Sequence, residues 1–267
     1  MAFSYKSAIS FGLVYVPVTL HGTVKKKDIG FNMLHKKSGE RIKYKKTCEK
    51  CPEVLTSDDI IRGYQYEKGK YITITDKELE DIKTEKDKSI EISAFVDLDE
   101  IDPIYFEKSY WVKPTGAEKA FRLIMQAIAK QNKVGIAKTV LGQKEQLVAL
   151  RAMGDGMVLY TMHFNDEIQS NPTKEIDEKI SDNELKLASQ IIDSMTTKFE
   201  PKNFKDEYRQ RLENAIQAKI NGEIVKKGKA KALSKAKVID LMDALKASVD
   251  IGKKKTIKKT AVKSGKS

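Results

Sequence analysis

The sequence predicts an α+β protein: an antiparallel β-barrel core followed by a helical C-terminal arm and a disordered basic tail. Three observations carry that reading. The chain opens on a strongly strand-like run, Ser7 to Leu20, rich in β-branched and aromatic residues. Three apolar runs, Val134–Leu141, Leu147–Ala152 and Met157–Phe164, are parted only by the polar turns Gly142-Gln143-Lys144-Glu145 and Gly154-Asp155-Gly156. That spacing suits an antiparallel sheet or barrel rather than βαβ crossovers. After Pro172 the apolar period changes from two to the helical one, and residues 251–267 are lysine-rich with little apolar content. A chain of 267 residues can bury one sizeable core plus an appendage.

Taken in order, Ser7–Leu20 reads as one inner barrel strand, with Ile9, Phe11, Leu13 and Tyr15 on one face. Gly12 then marks a bend or a close approach in mid-strand, and Pro17, which cannot donate to a ladder, marks its end. Residues 29–45 read as two short strands. In the second, Ile42 and Tyr44 are expected to face inward while Arg41, Lys43 and Lys45 project from the opposite face. Tyr71–Thr75 is an alternating strand that runs into Thr75-Asp-Lys-Glu78, a capping box opening a short helix to about Lys83. Ser89–Val96 alternates again. The acidic cluster Asp97, Asp99, Glu100 and Asp102 precedes Pro103 and reads as a solvated turn. Ala117, Ala120, Phe121, Ile124, Met125 and Ile128 recur at helical spacing, predicting an amphipathic helix over 117–131 that packs one face on the sheet.

Ser181-Asp-Asn-Glu184 is a second capping box, and a further helix is expected from about Asn203 to Ile220, stopped by Asn221-Gly222. The expected organisation is therefore a β-barrel core over 1–180, a helical arm over 181–222, a linker with a short amphipathic helix over 223–250, and a tail over 251–267. Val238, Leu241, Met242, Leu245 and Val249 form one stripe of that short helix, which is too brief to stand alone and must dock.

The net charge of +12 is sorted along the chain: +7 over residues 21–50, −9 over 53–107, +7 over 108–151, −5 over 152–225 and +11 over 226–267. Two basic blocks on a nearly neutral body, plus a basic tail, fit a polyanion-binding face. The first block offers Lys36, Lys37, Arg41, Lys43, Lys45 and Lys46 as phosphate contacts, the second Lys130, Lys133, Lys138 and Arg151. The bland alternative for the first is an edge strand guarded by lysines against aggregation. A histone-like nucleoid binder would account for the tail alone. No apolar run reaches the roughly 20 residues of a membrane span, and the opening run, broken by Ser10 and Gly12, is not a signal peptide. No glycine-rich phosphate loop or Ser/His/Asp arrangement is present, and His21, His35 and His163 fall in unrelated contexts. No active site or cofactor is therefore expected.

Cys48-Glu-Lys-Cys51, without an export signal, implies a reducing compartment, the cytoplasm. The pair is half a zinc site, with His35 as the local third donor and no fourth, so no metal is expected at His35, Cys48 and Cys51. An enzyme built on the cysteine region is a further alternative.

Ser10-Phe-Gly-Leu-Val14, Val16-Pro-Val18 and His35-Lys-Lys37 are followed in order by Arg41-Ile-Lys-Tyr-Lys45, Gly63-Tyr64, Tyr66-Glu-Lys-Gly-Lys-Tyr71, Phe95-Val-Asp97 and Asp102-Pro-Ile-Tyr-Phe106. Ala149-Leu-Arg151, Phe199-Glu-Pro201 and Asp206-Glu-Tyr-Arg209 complete the series. Over roughly residues 7–250 this order resembles the bacterial Ku proteins. The resemblance implies a Ku-type barrel and a ring-shaped homodimer that holds double-stranded DNA ends without sequence preference in non-homologous end joining. It implies dimer contacts from the helical arm, and docking of an end-joining ATP-dependent DNA ligase on the C-terminal segment that contains Leu241 and Leu245. The similarity begins at the barrel strand, so the additional N-terminal domain of eukaryotic relatives is not expected. Some members resemble His-x₂-Cys-x₉-Cys-x₂-Cys around the cysteines; here the second position is Ser38.

Overall fold

Strands whose inward positions are apolar, and which each find a ladder partner on both sides, close into a barrel of seven. The computed structural model describes residues 4–82, 89–142, 144–172 and 180–223. Contacts divide the chain into one unit ending at Asn171 and another beginning at Pro172, ahead of the boundary expected at 180.

The first unit begins with β1 (Ser4–Phe11) and β2 (Val14–Gly22), an antiparallel hairpin in which Phe11 faces Val14 across Gly12-Leu13. The expectation of a single strand over 7–20 is corrected here. Gly12 has φ +58° and turns the chain back, in the manner of a two-residue hairpin loop with glycine first. Leu13, expected in the middle of a strand, is the fully exposed tip. Pro17 lies inside β2 opposite Ala8, and its carbonyl accepts from Thr115 N–H at 3.0 Å.

Two small hairpins follow, β3 (Lys46–Cys48) with β4 (Cys51–Leu55), and β5 (Arg62–Glu67) with β6 (Lys70–Ile74). The helix α1 (Asp76–Asp81) starts at the expected capping box, where Thr75 and Glu78 bond reciprocally. Then come β7 (Ser89–Asp97), β8 (Phe106–Pro114), α2 (Glu118–Gln131), β9 (Lys133–Leu141), β10 (Lys144–Met153) and β11 (Gly156–Met162). The barrel order is β1-β2-β8-β11-β10-β9-β7, antiparallel at every junction except where β1 meets β7 in parallel.

Ile9, Val16, Val18, Leu20, Ile90, Val148, Leu150, Met157 and Leu159 are buried in one cluster, which Phe121, Ile124 and Ile128 of α2 join. Spacing of three and four residues along α2 puts those three on one stripe, and each fully buried aliphatic side chain contributes about 1.5–3 kcal/mol. Asn132 ends the helix in the left-handed region, φ +51°, and hands the chain to β9. A smaller cluster of Val134, Ala149 and Met162 is covered by Leu98, Ile101, Tyr105 and Phe106. The acidic residues of that covering segment hold its turns: Glu100 accepts from Asp97 N–H at 2.9 Å, and Asp102 accepts from Ile104 N–H at 2.9 Å.

The second unit contains α3 (Asp182–Met195) and α4 (Glu207–Ile220). Ser181 and Glu184 form the expected capping box. The helix expected from Asn203 begins later: Pro201–Asn203 make a single 3₁₀ turn, and Asp206 caps α4 by accepting from Arg209 N–H at 2.8 Å. Neither helix has a buried residue, and Leu185, Ile192, Met195, Tyr208 and Ile220 are exposed. The expectations for residues 224–267, Leu241 and Leu245 included, lie outside the described residues.

Candidate nucleic-acid interface

The first basic block rides on the segment between β2 and β3, which is mostly extended and irregular. His35 N–H donates to Glu40 O at 2.8 Å, Gly39 N–H to His35 O at 2.8 Å, and Ile42 N–H to Met33 O at 3.0 Å. These bonds fold 35–40 into a tight turn, Gly39 taking φ +71°, with Lys36 and Lys37 near its tip. The two strands expected over 29–45 reduce to one isolated bridge, Leu34 opposite Arg41. Beyond that bridge, alternation from Arg41 to Lys45 finds no ladder partner among the described residues, so it makes no strand. The inward expectation for Ile42 and Tyr44 is corrected as well: they are 45% and 78% exposed, and Tyr44 Oη reaches only Met33 Sδ at 3.6 Å.

The cations themselves are all on the surface. Lys36, Lys37, Arg41, Lys43, Lys45 and Lys46 are exposed, and among the described residues no carboxylate lies within ion-pair distance of any of them. Lys25, Lys26 and Lys27 of the same segment are exposed too. Sequence reasoning left those three out of the site, although their unbroken run beside Gly22 was a signal in plain view.

The second block differs. Lys133 donates to Asp97 at 2.8 Å, and Lys138 stands 3.9 Å from Glu145 and over the ring of Phe164. Lys108 pairs with Glu107 at 2.7 Å, and Lys144 with Glu167. Strand register causes the pairings of Lys133 and Lys138: Asp97 is the cross-strand partner of Lys133, and Glu145 sits two residues before Leu147, the partner of Lys138. Arg151 is half-buried, lining clefts with Leu98, Asp99 and Ile101. Of the four candidates only Lys130, in the last turn of α2, is exposed without an ion pair among the described residues. The lysine at Lys144 and the Phe164 N–H hold the Glu167 carboxyl below its usual range, and the carboxylate in turn holds the Lys144 ammonium above its own.

Cys48 and Cys51 face each other at the closed end of the β3–β4 hairpin, both exposed. The Lys50 N–H and then the Cys51 thiol donate to Cys48 sulfur and lower its pKa, while that same hydrogen bond and the facing charge raise Cys51. His35 Nδ1 is engaged by Ser38 Oγ at 2.9 Å, and among the described residues no three His, Cys, Asp or Glu side chains gather to hold a metal. Two thiols and a histidine occupied elsewhere, with a serine in place of the remaining cysteine, do not fit a structural zinc ion, which takes four thiolate or imidazole donors.

Residues 10–187 match the family model described as the Ku70/Ku80 beta-barrel domain, a stretch that runs from the end of β1 through the rest of the barrel and into α3. A protein from Lachnoclostridium phytofermentans is 45% identical over 94% of this chain and 97% of its own length. One from Bacillus subtilis is 40% identical over 92% and 81%, and one from Archaeoglobus fulgidus 38% identical over 94% and 99%. Each of these relatives is called non-homologous end joining protein Ku. This chain belongs to the Ku family.

Proposed function

We propose that this protein binds the ends of double-stranded DNA, without regard to sequence, as a ring-shaped homodimer in the repair of double-strand breaks by non-homologous end joining. The observation that carries the reading is the row of six exposed cations, Lys36 to Lys46, with no carboxylate at ion-pair distance among the described residues. Such cations face phosphates without first giving up a partner. They can grip any broken end, because backbone contacts read no bases. Six phosphate contacts per chain correspond to a slope of log affinity against log salt of about −5. The names of the relatives support the pathway.

Homodimer formation is supported by the exposed apolar residues of α3 and α4, which have no cover among the described residues of their unit. Recruitment of an end-joining ATP-dependent DNA ligase through Leu241 and Leu245 rests on the family resemblance. The protein acts in the cytoplasm, at the nucleoid, as a binder without turnover of its own.

A band-shift comparison of linear DNA with closed-circular DNA of equal length tests the reading, with a third arm of linear DNA whose ends are blocked. Tight binding to free ends alone is expected. Equal affinity for the circle overturns it in favour of a histone-like binder.

A further inference from the structure

We propose that Cys48 and Cys51 are a reversible dithiol–disulfide site that reacts with hydroperoxides. The two are register partners across the two-residue turn Glu49-Lys50. Residues directly opposite in an antiparallel ladder have Cα atoms about 4.5–5.5 Å apart, within the span that a disulfide bridges without moving the backbone. The register thus sets the two thiols side by side at the end of one hairpin. Both lie on the surface, where a small oxidant reaches them, and they are the only two cysteines of the chain.

Surroundings divide the roles. Cys48 lies in a lysine-rich stretch, with Lys45, Lys46 and Lys50 nearby in sequence, and hydrogen bonding from the Lys50 backbone lowers its pKa. Cationic, donor-rich, accessible settings are where cysteines become nucleophiles. In a reducing compartment, disulfides of this kind are transient and redox-sensing rather than structural. Among the described residues the donor set falls short of a structural zinc cage, with His35 engaged by Ser38 and no fourth donor, which leaves the thiols available to react.

The chemistry balances in two steps. Cys48 thiolate attacks one peroxide oxygen; the S–O bond forms, the O–O bond breaks, and the departing oxygen takes a proton and leaves as water, or as an alcohol from an organic hydroperoxide. Cys51 sulfur then attacks the Cys48 sulfenic sulfur, forming S–S and breaking S–O, and its proton leaves with the hydroxide as a second water. Two electrons pass from the thiols to the peroxide, and a dithiol reductant reverses the change by exchange.

The test uses the full chain treated with equimolar hydrogen peroxide, then alkylated in denaturant and weighed intact. The expected result is loss of both alkylation sites within a single chain, both recovered after dithiothreitol. In Cys51→Ser the reaction stops at a sulfenic acid on Cys48 that a 1,3-dione traps; if that variant misfolds by circular dichroism, the alkylation count of the parent decides alone. Three results overturn the proposal: thiols that stay alkylatable while a small free thiol in the same tube is consumed, disulfides formed only between chains, or equimolar zinc in the purified protein that shields the thiols until it is chelated.

Discussion

The two basic stretches carry the same formal charge, +7 each, and offer different things to a polyanion. Residues 21–50 hold their cations almost entirely off the barrel, only Lys46 lying in a short hairpin and Arg41 in a single bridge, and these cations stand in solvent without carboxylate partners among the described residues. Residues 108–151 form barrel wall and α2; strand pairing brings Asp97 and Glu145 against Lys133 and Lys138, while Lys108 pairs with its chain neighbour Glu107 and Lys144 with Glu167 of the turn after β11. Charge counted along a chain is therefore not the charge that a ligand meets. A lysine whose ammonium already holds a carboxylate must lose that bond before a phosphate gains from it, and only the counterions it releases strengthen binding.

The sharpest way to separate the stretches is to place a carboxylate in each. Leu150→Asp, at a position with no exposure, buries a charge in the barrel and is expected to abolish folding, whereas Tyr44→Asp leaves the barrel's circular dichroism and its melting transition in place. A Tyr44→Asp protein that fails to fold would show that the first stretch has a hidden core. Next in size, replacing Arg41, Lys43 and Lys45 with Ala is expected to weaken binding equally for unrelated DNA sequences and to flatten the salt slope by about 2.7, near 0.9 for each contact. An unchanged slope would remove these residues from the interface.

The same measurement on Lys133→Ala with Lys138→Ala should change the slope by less than about 0.9. Thermal stability should fall by no more than about 1 kcal/mol, since both pairs are largely exposed and screened. A loss as large as that of the triple variant would erase the distinction between the stretches. The smallest effect concerns Lys144 and Glu167. The Glu167 carboxyl is held low in the folded protein, so its contribution is complete above the ordinary carboxylate pKa and disappears as pH falls through the depressed value. Glu167→Gln should be slightly less stable than the parent at neutral pH, and the gap should close on acidification; a gap that widens in acid contradicts the pairing.

Legibility in the sequence followed the range of the interactions concerned. Thr75 with Glu78 and Ser181 with Glu184 were readable because a capping box closes within four residues, and α2 because its stripe repeats within the helix itself. The hairpin at Gly12-Leu13 was not read, since turns announce themselves by polar residues and this one has an apolar tip. Arg41–Lys45 alternates as a strand does, but a strand also requires a partner, and period two says nothing about whether one exists. The candidate site shows the same limit. Exposure of Lys36 to Lys46 followed from their type, whereas the pairing of Lys133 with Asp97 depended on a register between strands 36 residues apart and that of Lys138 with Glu145 on the exact register of the β9–β10 hairpin.

The parallel junction of β1 with β7 has a consequence of parity. Strands that reverse direction at each neighbour can close into a ring only in even number; seven leave one mismatch, and it falls here. The barrel thus has a seam, made by Ala8, Ile9 and Ser10 opposite Ser89, Ile90 and Glu91, far shorter than the eight-residue pairing of β1 with β2. It joins segments some eighty positions apart through only three residue pairs, whereas β2 and β8, farther apart still, are held by five, so the fewest ladder bonds resist its opening. Amide protons along these residues should exchange with solvent sooner than those of β10 and β11.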